Sequence, residues 1–242
     1  MTILRFNRPQ YLCAALVCIA ALAGAVFVSS MVFKVACGIA AAGAAYFGVV
    51  SLIVSHLIYD RSDLYRWRWL DQVLQGVTPS SVIFCHTGFD ETSSTLKKRL
   101  QPEAWTLLDH YDPLLMTEPS IRLARSLHPP PPETMGAPFD QWPVGSGSAD
   151  LVLALLAVHE FREAIQRIAW FTEARRCLKP GGRIIIVEHL RNTANFIAFG
   201  PGFLHFHSRS DWHRCWEAAG LHAVDEFSIT PWVAGFTLVP SC

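Results

Sequence analysis

Two histidines stand where apolar segments end: His159 after residues 150–156 and His189 after residues 184–187. Each segment is apolar at consecutive positions, which predicts a parallel strand buried on both faces. Ligand sites of open α/β sheets lie beyond the carboxyl ends of such strands. An imidazole can accept a proton near neutral pH, so we predict His159 and His189 as alternative general bases.

A loop with one glycine follows a third apolar segment, residues 81–85, and Asp109 stands 21 residues after Gly88. In nucleotide-binding α/β folds, a carboxylate at about this spacing accepts hydrogen bonds from ribose hydroxyls. Asp90 and Glu91 in the loop repel a pyrophosphate and favour a cationic ligand. S-adenosylmethionine has an amino group, a sulfonium centre and no phosphate, so it suits this loop.

The surrounding sequence predicts the elements that position these residues. Pro180 and the two glycines after it end a helix near Leu178 and lead into a buried strand. A short third strand is expected within residues 133–139. Residues 222–229 and 233–239 predict an antiparallel hairpin at the sheet edge. The predicted fold class is α/β, with a doubly wound, mostly parallel sheet and an antiparallel C-terminal hairpin.

The N-terminal residues predict two transmembrane helices in front of this sheet. Residues 11–33 have no charged side chain, and after Lys34 residues 35–58 again have none. Crossing the hydrocarbon core takes roughly 20 apolar residues, so both runs are long enough. The alternatives are a cleaved signal peptide, which the second run disfavours, and a buried helical hairpin.

Flanking charge predicts the orientation of the hairpin. Its arginines lie on one side of the pair: Arg5, Arg8, Arg61, Arg66 and Arg68. The positive-inside bias therefore places both termini in the cytoplasm. We predict a multi-pass protein of the cell inner membrane, with a transmembrane hairpin over residues 1–59, a juxtamembrane helix and linker over 60–79, and a cytoplasmic α/β domain over 80–242.

Composition argues against several other classes. Lysine plus arginine and aspartate plus glutamate each number 20, so the formal net charge is zero and no nucleic-acid partner is expected. The seven cysteines are dispersed and predict neither a disulfide framework nor a zinc site. His205 and His207 alternate as metal ligands can, but no third ligand stands near them in sequence, so we predict no metal site.

With these elements placed, residues 80–239 resemble the class I S-adenosylmethionine-dependent methyltransferases. The matching segments are Leu178-Lys-Pro-Gly-Gly182, Trp142-Pro143 before Ser148-Ala-Asp-Leu-Val-Leu153, Leu156-Ala-Val-His159 and Trp212 to Gly220-Leu221. These segments most resemble those of the quinone and small-molecule branch of the family. The first motif of the family, an acidic residue followed by three alternating glycines, is replaced by Phe84-Cys-His-Thr-Gly-Phe-Asp90.

The resemblance implies a Rossmann-like methyltransferase sheet with S-adenosylmethionine as cofactor. By position, it assigns cofactor binding to the following residues: His86, Gly88, Asp90, Asp109 or its rival Asp112, and Asp140 on the adenine side.

The first functional hypothesis is a membrane-anchored methyltransferase that acts on a lipophilic or other small-molecule acceptor at the cytoplasmic membrane face. The alternative is a methyltransferase-like scaffold that has lost its cofactor and serves as a subunit of a membrane complex, which the single-glycine loop favours. A dehydrogenase comes third, because that loop is poorly suited to a dinucleotide.

Overall fold

The computed structural model describes residues 8–241, which begin with a helical hairpin. Helix α1 spans Arg8–Phe27 and helix α2 spans Met31–Ser55. Gly24 lies at the contact between them, since a Cβ there would be 3.2 Å from the Cys37 sulfur. The two helices therefore pack closely along their length.

Within residues 8–241, one helix is long and apolar enough to cross a membrane. It runs for 31 residues, Met31–Arg61, with a mean hydropathy of 2.0, and only 22% of its apolar window is buried. The first helix has a shorter apolar part, Tyr11–Phe27. Its side chains are also exposed, for example Leu16 at 65% and Val26 at 75%. A second span stays a prediction.

The chain leaves α2 through a π-helical turn, His56–Arg61. The juxtamembrane helix that the sequence predicts within residues 60–79 is not continuous. The helical conformation ends at Arg61, and helix α3 spans Arg68–Leu74. Trp67, the residue before α3, adopts a positive φ of 62°. The buried Leu70 and Val73 then pack against the sheet.

The part of the chain that the structure describes has seven strands in one sheet, with the order β3-β2-β1-β4-β5-β7-β6. The strands are β1 Ser81–His86, β2 Ala104–Asp109, β3 Met135–Gly136, β4 Ala149–Leu155, β5 Leu178–His189, β6 Leu221–Thr230 and β7 Val233–Pro240. Strands β1 to β5 are parallel, whereas β7 is antiparallel to both neighbours. The predicted doubly wound sheet, its short third strand and its C-terminal hairpin are confirmed.

Helices cover both faces of the sheet. The remaining helices are α4 Ser93–Leu100, α5 Pro119–Leu127, α6 Ala164–Cys177, α7 Thr193–Phe199 and α8 Arg209–Ala218, with 3-10 turns at Val158–Glu160 and Gly200–His205. Ile83 faces the core formed by α6 and α8, and the adjacent Phe84 faces the core formed by α3 and α4. This alternation explains why residues 151–155 of β4 and 184–187 of β5 are apolar at every position.

Strand β5 includes the Pro-Gly-Gly segment that the sequence predicts as a turn. Its pairing with β4 shifts register between Ala149 and Leu151, so the irregularity is a bulge inside the strand. Gly181 has a φ of 79°, and a Cβ on Gly182 would lie 3.0 Å from the Ala149 carbonyl oxygen. The glycines therefore allow the close backbone approach at which β5 begins.

His110 titrates inside the core and should make stability depend on pH. It is 3% exposed, packs on Trp142 and Trp170, and has one ring nitrogen 2.9 Å from the Ala137 carbonyl oxygen. Burial lowers its pKa to about 4. Because the folded pKa lies below the unfolded one, His110 favours folding above about pH 6.5, and this contribution falls by about 3 kcal/mol as the pH drops to 4.

Denaturant unfolding of the detergent-solubilised chain between pH 7.5 and 4 would measure this effect. We expect His110→Phe to show a shallower pH dependence than the wild type, whatever its stability at pH 7.5. The surface variant His213→Ala is the control. Equal pH dependence in the wild type and His110→Phe would contradict the assignment.

Candidate functional site

The carboxyl ends of four parallel strands meet at one edge of the sheet. β1 ends at His86 and β2 at Asp109, directly opposite each other in the register. β4 ends at Leu155, and β5 continues to His189. The sequence-predicted residues therefore divide into one group beyond β1 and β2 and a second beyond β4 and β5.

Gly88 and Asp109 are in direct contact in the first group. The Gly88 N–H donates to Asp109 Oδ1 at 2.8 Å, and Gly88 has a φ of 85°. The same oxygen accepts from the Tyr111 N–H at 3.0 Å, and Oδ2 pairs with the Arg125 guanidinium. The carboxylate lies at the loop as predicted, but groups of this chain already bind both of its oxygens.

Tyr111 fills the space over Gly88. A Cβ on Gly88 would lie 2.8 Å from Tyr111 Cδ2, and the Arg125 guanidinium lies 4.6 Å from the centre of the Tyr111 ring. Phe89, whose ring is bulky enough to cover Gly88, packs instead against His128 with ring centres 5.5 Å apart. The side chain that covers the Gly88 loop, Tyr111, therefore belongs to the segment after β2.

His86, the last residue of β1, is a buried residue whose ring nitrogens are unsatisfied within the described part of the chain. It is 3% exposed, and neither ring nitrogen has a hydrogen-bond partner among residues 8–241. Its Nδ1 lies 3.5 Å from Asp109 Oδ1. Burial lowers its pKa, although Asp109 and Asp90 act in the opposite direction. Buried polar groups without a partner are uncommon, so His86 is a candidate for contact with a ligand.

The other predicted carboxylates have different surroundings. Asp90 Oδ1 accepts from the Thr92 and Ser93 N–H groups at 3.0 and 2.8 Å, so it caps the start of α4. Asp112 Oδ1 accepts from the Leu114 N–H at 2.8 Å in a turn. Asp140 is exposed.

His159 and Glu188 form a buried pair in the second group. His159 Nδ1 lies 2.6 Å from Glu188 Oε2. Glu188 is 0% exposed, and its Oε1 accepts from the N–H groups of Ala157, Val158 and His159 at 3.2, 2.8 and 3.3 Å. Burial alone disfavours the imidazolium, but the charges of Glu188 and Glu160 raise the pKa of His159 to about 10. The imidazole therefore has a fixed orientation, and the two carboxylates favour its protonated form.

Glu160 and His205 complete this cluster. Glu160 Oε1 lies 3.4 Å from His159 Nε2 and 3.6 Å from His205 Nε2. Burial opposes ionisation of Glu160, but the two histidines hold its pKa well below the usual range. Glu160 does not cap the following helix, because the capping box of α6 uses Glu163 and Gln166.

His189 lies at the end of β5 but is held from both sides. Its Nδ1 is 3.0 Å from the Trp232 carbonyl oxygen, and its Nε2 is 3.0 Å from the Tyr59 hydroxyl. Its ring stacks on Phe206 with centres 4.7 Å apart. Burial lowers its pKa to about 4, so the ring is neutral. This arrangement connects the π-helical turn after α2 to the sheet, and the role of His189 as a base stays a prediction.

Comparison with known proteins identifies relatives of this architecture. A methyltransferase domain family matches residues 113–186, which begin after the glycine loop and end in β5. A search of curated protein sequences found no match.

Solved structures match over most of the α/β domain. A SAM-dependent methyltransferase from Aquifex aeolicus has 14% identity and a TM-score of 0.54, covering 75% of this chain and 94% of its own. The PH0226 protein from Pyrococcus horikoshii has 14% identity and a TM-score of 0.52, covering 77% and 96%. The CcbJ methyltransferase from Streptomyces caelestis has 14% identity and a TM-score of 0.50, covering 75% and 90%.

Sequence reasoning missed Tyr111, Arg125, Glu160 and His205 as members of the two groups. Glu160 stands beside the predicted His159, and that adjacency was the available signal. His205 alternates with His207 in the sequence, but it stands 45 residues after Glu160, so only the folded chain brings it to the cluster.

Proposed function

Because the chain has the fold of the class I S-adenosylmethionine-dependent methyltransferases, we propose that it transfers a methyl group from S-adenosylmethionine to a small lipophilic acceptor at the cytoplasmic face of a membrane. The observation that carries this proposal is at the carboxyl ends of β1 and β2, where Gly88 contacts Asp109 and the buried His86 ring has no hydrogen-bond partner within residues 8–241.

These residues suit a cationic ligand without phosphate. Gly88 presents backbone without a Cβ, Asp109 supplies negative charge, and the nitrogens of His86 are free to hydrogen-bond a polar group. S-adenosylmethionine supplies a methyl carbon activated by positive sulfur, so the protein has only to align the acceptor and receive its proton. Binding requires the Tyr111 ring and Arg125 to leave the face of Gly88.

The acceptor side lies beyond β4 and β5, where Glu188 orients His159. In this proposal the cluster of His159, Glu160 and His205 binds and orients the acceptor. This cluster lies next to the carboxyl end of β1, because β1 and β4 pair in parallel.

Contacts with the membrane helix support a lipophilic acceptor. The segment over the cluster, residues 193–205, exposes Phe196 at 52%, Ile197 at 53% and Leu204 at 55%. The Tyr46 hydroxyl of α2 donates to the Ile197 carbonyl oxygen at 3.1 Å. An apolar surface fixed beside an apolar helix suits the membrane–water interface, where a lipid-like acceptor would concentrate.

Calorimetry with the full chain in detergent or nanodiscs tests the cofactor part. We expect one equivalent of S-adenosylmethionine to bind, and Tyr111→Ala to bind it about tenfold more tightly, because the variant removes the group that covers Gly88. Leu114→Ala, an 85% exposed neighbour, is the matched control. Transfer of a labelled methyl group to membrane lipid extracts tests the acceptor part.

The Tyr111 ring over the Gly88 loop favours a second function, that of a scaffold subunit. Both Asp109 oxygens have partners within the chain, and the cavities of about 270 and 510 Å³ beside Leu74 and Thr78 lie at the opposite edge of the sheet. This arrangement suits a scaffold subunit of a membrane complex. If neither the wild type nor Tyr111→Ala binds S-adenosylmethionine, and a stoichiometric partner co-purifies, the scaffold replaces the methyltransferase.

A further inference from the structure

The cluster beyond β4 and β5 has the spacing of a metal site. One ligand atom each from His159, Glu160 and His205 lies within 4.8 Å of the others, and two of the separations are 3.4 and 3.6 Å. Zinc binds imidazole and carboxylate ligands at about 2.1 Å, which separates the ligand atoms of a tetrahedral site by about 3.4 Å. The three side chains thus need little movement to hold one ion.

A carboxylate behind His159 supports this assignment independently. Metal-bound histidines usually donate the other ring N–H to a carboxylate or carbonyl, which fixes the tautomer and the ring orientation. Here Nδ1 is 2.6 Å from Glu188 Oε2, which leaves Nε2 directed toward Glu160. The backbone N–H groups that bind Glu188 hold this arrangement in place before any ion arrives.

Glu160 provides a second observation that supports a bound cation. Its side chain is 11% exposed, and Oε2 is buried without a hydrogen-bond partner among residues 8–241. A carboxylate oxygen is an acceptor only, so the unpaired atom calls for a cation or a donor.

The segment that carries His205 is fixed by two arginines. Arg162 donates to the His205 carbonyl oxygen. Arg191 donates to the carbonyl oxygens of Leu204 at 3.1 Å and Phe206 at 2.7 Å. His205 is therefore preorganised opposite the strand ends, although it comes from a connecting segment.

We propose that His159, Glu160 and His205 bind one divalent transition-metal ion, with Glu188 as the positioning carboxylate. Two imidazoles and one carboxylate select zinc, iron(II) or a similar ion over magnesium, which prefers oxygen ligands. Three protein ligands leave a further coordination position for a small ligand. The site does not depend on the proposed methyl transfer, because metal binding is measured directly.

The test uses the full chain in detergent, carrying an affinity tag without histidine or cysteine and stripped of metal by a chelator. We expect calorimetry and elemental analysis to show one equivalent of Zn²⁺, and Co²⁺ to give the visible absorption of a protein-bound ion. His205→Ala should weaken Zn²⁺ binding at least about a hundredfold, and Glu188→Gln by about 10- to 100-fold. Mg²⁺ should not compete.

Two controls keep the result interpretable. His205 is 30% exposed, so His205→Ala should keep the circular dichroism and melting temperature of the wild type. His213→Ala removes a 40% exposed histidine elsewhere and should bind Zn²⁺ like the wild type. The proposal is overturned if the wild type binds no Zn²⁺, in which case the cluster is an ion-pair network only, or if His205→Ala and His213→Ala bind it equally.

Discussion

Glu188→Ala is expected to lower the free energy of unfolding by about 3 to 5 kcal/mol, because it removes a fully buried charge partner. Glu188 is 0% exposed and accepts from three backbone N–H groups and from His159. Without it, those donors stay buried with no acceptor and the turn at Val158–Glu160 loses its support. Denaturant unfolding of the detergent-solubilised chain measures the change.

Two further variants show which property of Glu188 accounts for this loss of stability. Glu188→Gln retains the volume and one oxygen acceptor, so we expect a smaller loss than with alanine. Glu173→Ala removes a carboxylate of 13% side-chain exposure that accepts from the Trp142 N–H and pairs with Arg176. Because Arg176 can turn to solvent, we expect a loss of about 1 kcal/mol. Equal losses for the two alanine variants would show that Glu188 has no special role.

Trp69→Ala is expected to cost about 3 to 5 kcal/mol, since Trp69 attaches helix α3 to the sheet. Trp69 is 6% exposed, and its indole N–H donates to the Leu64 carbonyl oxygen at 3.2 Å. Its ring stacks on Phe227 with centres 5.4 Å apart. Gly235 makes this stacking possible, because a Cβ there would lie 2.1 Å from Phe227 Cζ.

Trp69→Phe is the matched variant. It keeps an aromatic ring against Phe227 and loses only the donor to Leu64, so we expect a loss of about 1 kcal/mol. The same unfolding measurement applies, with protease digestion between residues 61 and 80 as a second measurement. An unfolding midpoint for Trp69→Ala equal to that of Trp69→Phe would mean that the ring does not hold α3 in place.

Much of the fold could be predicted from local patterns. The consecutive apolar residues of β4 and β5 predict buried parallel strands, and the C-terminal hairpin follows from two segments around Pro231. The structure places Asp109 beside Gly88, whereas the ribose-binding role that the spacing predicts for this carboxylate stays a prediction. The strand and hairpin predictions succeed because each depends on neighbouring residues or on a connection that right-handed crossovers constrain.

The remaining features depend on long-range packing. Tyr111 covers Gly88 because the segment after β2 returns across the loop, and no residue near Gly88 indicates this. The break after Arg61 follows from docking of Trp69 and Leu70 on the sheet, which overrides a continuous helical pattern. His205 joins His159 through a segment whose course is set by arginine contacts to its backbone.

The contact between Tyr59 and His189 limits how this protein can be shortened. Tyr59 lies in the π-helical turn that continues α2, and its hydroxyl is the partner of the buried His189 Nε2. A fragment beginning at residue 62 would leave that nitrogen unpaired and uncover the ring that stacks on Phe206, next to His205. Removing the apolar hairpin to gain solubility would therefore alter the candidate site itself, and the intact chain is the proper material for every measurement of binding.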